Sequence, residues 1–315
     1  MTGEYGERDV QQVSGIIDSH IHIIPAGRTA SLVRWIRRAF PSHPSREDMT
    51  PDDIISDIAA CGVVKAFNFV FPLKESETLP LNEFSRDIAA AYPMLVPFGS
   101  MHVDTPDKGG VVDRCVSELG LAGIKLHPFA QGFEAFSPAF EPMYRKLAEL
   151  RRPFVVHTGF DEFYGGTQDL AYLGEILEKY PEMPVILVHS LCPRFELACS
   201  LMERHPQLYC DLTNVPGTIG LYKKMPEAVR DNAQVFGDMP RELEAFEAML
   251  DSFSKRIMFG TDHPAGMGSP HQVYSDFDSL NLGDTVRQDL LRDSALRFLR
   301  EHCGPWGSPS DERSP

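Results

Sequence analysis

Residues 153–158 read Pro-Phe-Val-Val-His-Thr, and residues 184–190 read Pro-Val-Ile-Leu-Val-His-Ser. Each is a short run too uniformly apolar for a strand with one wet face, so each predicts a strand buried on both sides. A stretch with helical spacing follows each run, which is the pattern of a parallel sheet covered by helices. Six further runs repeat the arrangement outward from these two: Gly15 to His22, Val63 to Phe71, Met94 to His102, Leu121 to His127, Gln207 to Thr213 and Arg256 to Asp262. Eight β-α units in series favour an α/β fold closed into a (β/α)8 barrel over an open doubly wound sheet.

The intervening helices carry their own signals. Thr50-Pro51-Asp52-Asp53 supplies an N-cap, a proline at N1 and early carboxylates; Ile54, Ile55 and Ile58 then form a buried stripe, and Gly62 ends the helix. Ser137-Pro138 opens another in the same way, with Phe140, Met143, Tyr144 and Leu147 at helical spacing before Arg151-Arg152. Two connections are long, Ile23 to Thr50 after the first strand and Asn214 to Pro240 after the seventh. Both follow strands, so both are expected over the mouth of the barrel. One domain is expected over residues 15–303, flanked by an N-terminal tail, 1–14, and a tail, 304–315, whose Gly/Pro/Ser-rich composition predicts disorder.

Composition narrows the function. With 43% hydrophobic residues in 315, a sizeable core is available without disulfides. Thirty basic against 45 acidic residues give a net charge of −15, which repels a phosphate backbone and anionic lipid; nucleic acid and membrane are therefore excluded as expected partners. Six cysteines without a Cys-x-x-Cys pair read as reduced thiols, the N-terminus has no apolar signal core, and no apolar run approaches the roughly 18 residues of a membrane span. A cytoplasmic location is the expectation.

Of eleven histidines, seven fall at the ends of proposed strands (His20, His22, His102, His127, His157, His189 and His263), where barrel active sites are built. His20-Ile21-His22 is the sharpest element, because alternate strand residues point the same way and both imidazoles can reach one metal at about 2.0–2.1 Å. Alone, a His-x-His is as well read as two satisfied histidines. His157, His189 and Asp262, each closing another apolar strand, change that, since a carboxylate and several imidazoles at an apolar rim are costly unless a cation pairs them.

The set from Asp18-Ser19-His20-Ile21-His22 to Gly260-Thr261-Asp262-His263-Pro264 resembles the amidohydrolase superfamily of metal-dependent barrel enzymes, in particular the branch that includes aminocarboxymuconate-semialdehyde decarboxylase. The resemblance implies that His20, His22, His157 and Asp262 bind a divalent metal, zinc by preference, with His189 beside the metal-activated water. It leaves Lys125, on the fourth strand, with three roles: contact with a substrate carboxylate, a carbamylated bridge between two metals (with His157 and His189 on the second), or a structural ion pair. One ion is favoured, two if Lys125 is carbamylated. Barrels of this branch often form homodimers.

Metal-lowered water pKa, from about 15.7 to about 7, is the basis for hydrolysis of an amide, lactone or ester. Asp262 would take the proton and His189 would steady the oxyanion or reprotonate the leaving group. The alternative reaction is non-oxidative decarboxylation of an unsaturated or aromatic carboxylic acid; a non-catalytic metal-binding barrel is a third reading. Arg194 after the sixth strand can meet an anionic small-molecule substrate in bidentate fashion, although a surface arginine is the commoner case. The basic, aromatic Leu32-Val33-Arg34-Trp35-Ile36-Arg37-Arg38-Ala39-Phe40 reads as a lid for such a substrate, a solvated helix face or a dimer contact. Phe129, Phe133, Phe160 and Tyr164 line a pocket or pack its rim. His127 and His102 read as satisfied histidines, and His263, next to Asp262, points away from the metal.

Overall fold

The computed structural model describes residues 15–227 and 238–307. All eight expected strands form and all pair in parallel: β1 Ile16–Ile21, β2 Val63–Asn68, β3 Leu95–Pro97, β4 Ile124–Leu126, β5 Phe154–His157, β6 Val185–Val188, β7 Leu208–Asp211 and β8 Ile257–Met258. Regular ladders run β1-β2-β3 and β4 through β8. Backbone hydrogen bonds join the two seams. Gly99 N–H reaches Gly123 O at 2.9 Å and Lys125 N–H reaches Gly99 O at 2.7 Å, while Ser19 N–H reaches Phe259 O and Asp262 N–H reaches His20 O, both at 2.8 Å. The strands thus form a ring, the barrel that the eight repeats predict.

The strands are shorter than the apolar runs because their ends bend to aim side chains at the mouth. β1 shows how. Ile17 packs inside the barrel with Phe67, Val155 and Met258, whereas Ile21 packs outward with the helix residues Ile54 and Ile58. Residues four apart share a face in a regular strand; a register shift between Asp18 and Ile21 reverses the phase and lets His20 and His22 turn inward.

The helix Pro51–Ala59 starts on the anticipated N-cap Thr50, which forms a capping box with Asp53, and ends before Gly62 at φ +84°, a left-handed position that suits glycine. Phe140, Met143, Tyr144 and Leu147 are all buried, although Ser137 makes no side-chain cap and Pro138–Phe140 form a 3-10 turn ahead of the helix Glu141–Leu150. At the foot of the barrel Phe298, from the helix Ser294–His302, packs against Phe67 and Tyr209 and closes the interior. Each such ring removed from water contributes about 1.5–3 kcal/mol.

One boundary moves. Gly304–Gly307, placed in the tail by composition, form a 3-10 turn in which the Trp306 indole donates to Gly120 O at 2.9 Å; a single large aromatic with a bonded N–H outweighs the glycine and proline around it. Residues 1–14 and 308–315 lie outside the described residues, as do 228–237 of the seventh loop.

The described parts of both long loops lie at the mouth. The first carries the helix Ala26–Ala39 and is tied to the segment after β8 by His43 Nε2 on Gly266 O (2.6 Å) and Ser45 Oγ on Pro264 O (2.8 Å). The second begins with the helix Val215–Lys224. Among the described residues, no helix is long and apolar enough to cross a membrane.

Candidate metal centre

His20 and His22 from the end of β1 and Asp262 from the segment after β8 bring three donor atoms together. The Nε2 atoms of the two histidines are 3.1 Å apart, and Asp262 Oδ1 lies 3.1 Å from His22 Nε2 and 3.5 Å from His20 Nε2. Each imidazole is held from behind. His22 Nδ1 sits 2.9 Å from Phe69 O, which can only accept, so Nδ1 carries the proton and Nε2 presents a lone pair. His20 Nδ1 sits 3.1 Å from Asp211 Oδ2, with the same consequence while that carboxylate is ionised. Asp262 is fixed by Asn214, whose Nδ2 donates to Oδ2 at 2.9 Å. Two lone pairs and a carboxylate oxygen therefore converge on one buried point. Tetrahedral ligands at about 2.0–2.1 Å from an ion stand about 3.3 Å apart, and this donor set fits a divalent cation.

Three supporting residues escape the sequence reading. Asp211, at the end of β7, also accepts from the N–H groups of His189 (2.8 Å) and Thr213 (3.1 Å), so a single carboxylate positions two of the site's histidines. Asp18 bridges β1 and β8 through His20 N and Thr261 N, both at 3.0 Å, and Thr261 Oγ1 at 2.6 Å. Asn214 is the third. A carboxylate ending the apolar Leu208–Asp211 run was the available signal for Asp211; nothing local marks Asn214. Gly260 is required by close approach, since a Cβ there would lie 2.4 Å from Thr213 Oγ1 and 2.9 Å from His20 Cβ.

His157 is not within the three-donor cluster. It stacks on His127 with ring centroids 3.8 Å apart and meets His189 edge-on at 4.5 Å, and its Nε2 has no hydrogen-bond partner among the described residues. His189 lies over His20 at 5.7 Å, and its Nδ1 is 2.7 Å from Thr213 O, which leaves Nε2 for the cavity. His189, Ser190 and Leu191 all have positive φ, a left-handed run of three non-glycine residues that folds this segment back at the mouth. His127 lines the cavity, His102 lies outside it, and His263 turns to Asp57 at 3.1 Å, as its place beside Asp262 predicts.

Burial dominates the electrostatics. It pushes Asp18 up to about 7 against three hydrogen bonds and raises Asp211. Burial, then the charges of Lys125 and neighbouring histidines, holds His20 well below the ordinary imidazole value. Burial alone would raise Asp262, but its hydrogen bond with His22 and nearby positive charge bring it below the usual carboxylate value. Lys125 is fully buried, its Nζ without a hydrogen-bond partner among the described residues and 4.9 Å from the Phe69 ring centroid, and burial lowers it to about 7.

Above the donors lies a cavity of about 390 Å³. Its floor is polar (His22, His127, His157, His189, Asn214 and Asp262) and its walls are apolar, largely aromatic. Among the described residues, no lysine or arginine lines it. Neither Lys125 nor Arg194 is among the residues that line it. Lys125 is fully buried. Arg194 is held by Asp161 at 3.0 Å outside the lining, because a local carboxylate satisfies the guanidinium first. The basic stretch of the first loop divides likewise: Trp35 and Ile36 face the cavity, while Arg34 pairs with Glu47 and Arg37 bonds Ser45 O. Phe160 and Tyr164 line the cavity and Phe129, stacked on Tyr164, lines an adjoining one, whereas Phe133 packs on Phe140.

The chain belongs to the amidohydrolase family, whose model matches residues 17–300, and is an enzyme of that superfamily. No curated protein matches the sequence. Solved structures share the fold. An uncharacterized TIM-barrel protein, Bb4693 from Bordetella bronchiseptica, aligns at TM-score 0.69 and 19% identity over 91% of this chain and 99% of its own. A provisionally assigned 2-pyrone-4,6-dicarboxylic acid hydrolase from Pseudomonas putida gives 0.60 and 17% over 92% and 99%. The 5-carboxyvanillate decarboxylase of Novosphingobium aromaticivorans, complexed with manganese and 4-hydroxy-3-methoxy-5-nitrobenzoic acid, gives 0.59 and 16% over 92% and 97%.

Proposed function

We propose that the protein is a metal-dependent hydrolase of a small uncharged carbonyl compound: an amide, lactone or ester. His20, His22 and Asp262 hold the ion, with His157 completing its surroundings from β5. The observation that carries the uncharged substrate is the lining itself, which offers a carboxylate no lysine or arginine. A divalent ion held there, zinc or manganese, supplies Lewis acidity to a carbonyl oxygen and to a water.

The residues do the remaining work. The Asp262 carboxylate, anchored through Oδ2 by Asn214, accepts the proton released as the water oxygen bonds to the carbonyl carbon. His189, with its Nδ1 proton on Thr213 O, presents a lone pair at Nε2 to the cavity, where it accepts a hydrogen bond from the attacking water and orients it. The bond to the leaving group then breaks, and the proton held by Asp262 passes to that group. The apolar walls exclude bulk water, which strengthens each of these interactions. Lys125, fully buried and absent from the lining, bears on the number of ions rather than on substrate.

The second reading is decarboxylation of an aromatic or unsaturated acid, favoured by the similarity to a decarboxylase complexed with manganese and a nitrobenzoic acid. Elemental analysis of protein prepared with bicarbonate, followed by ester, lactone and amide hydrolysis against carbon dioxide release from aromatic acids, separates the two. One ion per chain and hydrolysis are expected. Two ions would assign Lys125 as a carbamate with His157 and His189 on the second, and carbon dioxide release without hydrolysis would overturn the proposal. His20→Ala with His22→Ala should abolish metal binding and turnover together.

A further inference from the structure

The outer half of the cavity is built from aromatic side chains that the hydrolytic chemistry does not use. Trp35, from the first loop, stacks on Tyr164 from the fifth at 5.8 Å and meets Phe163 edge-on at 5.4 Å; Phe40 stacks on Phe163 at 5.9 Å. Behind them Tyr164 stacks on Phe129 at 4.7 Å, so the Trp35 ring rests on a supported platform. Trp35 is 41% and Phe163 43% exposed, both at the cavity. Apolar rings left this open at a mouth mark a surface kept for a ligand. The arginines flanking Trp35 are turned away from it, so the platform presents ring faces and edges without cationic charge. A second cavity of about 570 Å³ shares Trp35, Phe163 and Tyr164 as its wall; among the described residues its one lysine or arginine, Arg28, is paired with Glu77 at 3.2 Å.

We propose that the substrate carries an uncharged aromatic group, seated against Trp35 and Phe163 while its carbonyl faces the histidine floor, and that Trp35 is the residue that selects it. This rests on the reading of the site as one for uncharged carbonyl compounds and adds the non-reacting part of the substrate. An aromatic contact of this kind is worth about tenfold in affinity beyond area burial.

The chain has two tryptophans, and Trp306 lies at the foot of the barrel, so Trp306→Phe makes Trp35 the sole tryptophan of the metal-loaded full chain, excited selectively at the red edge of the protein absorption. Three probes are used: 2-acetonaphthone, an uncharged aryl ketone that is not hydrolysed; 2-naphthoate, the same ring as an anion; and acetone, which lacks the ring. Saturable quenching by the ketone, at least tenfold weaker binding of naphthoate and none of acetone are expected. By calorimetry, Trp35→Ala should bind the ketone about tenfold more weakly while still melting in one cooperative step, its midpoint lowered only by the lost contacts with Tyr164 and Phe163, and Trp35→Phe should recover most of the affinity. Naphthoate binding as tightly as the ketone, or unchanged ketone affinity in Trp35→Ala, overturns the inference. Cleavage of ethyl acetate with no preference for 2-naphthyl acetate also overturns it and leaves the hydrolase reading intact. Ketone binding without hydrolysis of any ester, lactone or amide supports it and removes the hydrolase reading.

Discussion

Replacing Asp211 with asparagine tests the metal centre through a residue that never meets the metal. Asp211 Oδ1 accepts from two backbone N–H groups, of His189 and Thr213, and this pair will hold the single amide oxygen of an asparagine. The amide nitrogen must then occupy the place of Oδ2, 3.1 Å from His20 Nδ1. Two donors would face each other there, so His20 relieves the conflict by shifting its proton from Nδ1 to Nε2. Its proton then points at the donor cluster in place of a lone pair, and one of three ligands is lost. Changes to groups behind a metal-ligating histidine typically cost 10–100-fold in metal affinity, and a forced tautomer belongs at the upper end, about 100-fold. Stability should fall by only about 1 kcal/mol, since both backbone donors keep an acceptor. Asp211→Ala provides the contrast: it orphans two buried N–H groups at about 1–3 kcal/mol each. Zinc competition against a chelator of known affinity, with thermal melts of all three proteins, measures both quantities. A folded Asp211→Asn that holds zinc within about threefold of the parent would refute the tautomer argument.

Gly260→Ala should destabilise the protein by about 1–3 kcal/mol in urea titration and weaken metal binding with it, because the new methyl group meets Thr213 Oγ1 and His20 Cβ below contact distance. Arg194→Ala should leave KM for an uncharged ester within about twofold, as Arg194 faces Asp161 and not the cavity; a KM rise of tenfold or more in steady-state assays would place Arg194 on the substrate after all.

The barrel was legible because its signal is repeated and local: eight apolar runs, each followed by helical spacing, with punctuation such as Thr50-Pro51 and Gly62 that needs no tertiary context. The donors were legible for a related reason. A histidine or carboxylate that ends an apolar strand has few places to point but the mouth, and His20, His22 and Asp262 do meet there. What a side chain does once at the mouth depends on partners far away in sequence. Asp211 orients His20 across 191 positions, and Arg194 is taken by Asp161 across 33, so neither pairing leaves a trace in local spacing. The first loop stayed open between three readings for a different reason: its arginines and its Trp35 alternate within one helix, and only the tertiary packing decides which set faces inward.

The donor cluster straddles the seam where the first and last strands meet, with Thr261 bonded to Asp18 across 243 positions of chain. No partial barrel can assemble it. During synthesis the first two ligands emerge early and must wait for almost the whole chain before the third arrives, so metal capture is an event of the finished protein. Once captured, an ion that binds only the closed ring adds its own free energy to that closure. Metal occupancy in this fold is thereby a readout of completion: a chain truncated before β8, or one whose last unit has come loose, forfeits its metal before its remaining strands need come apart.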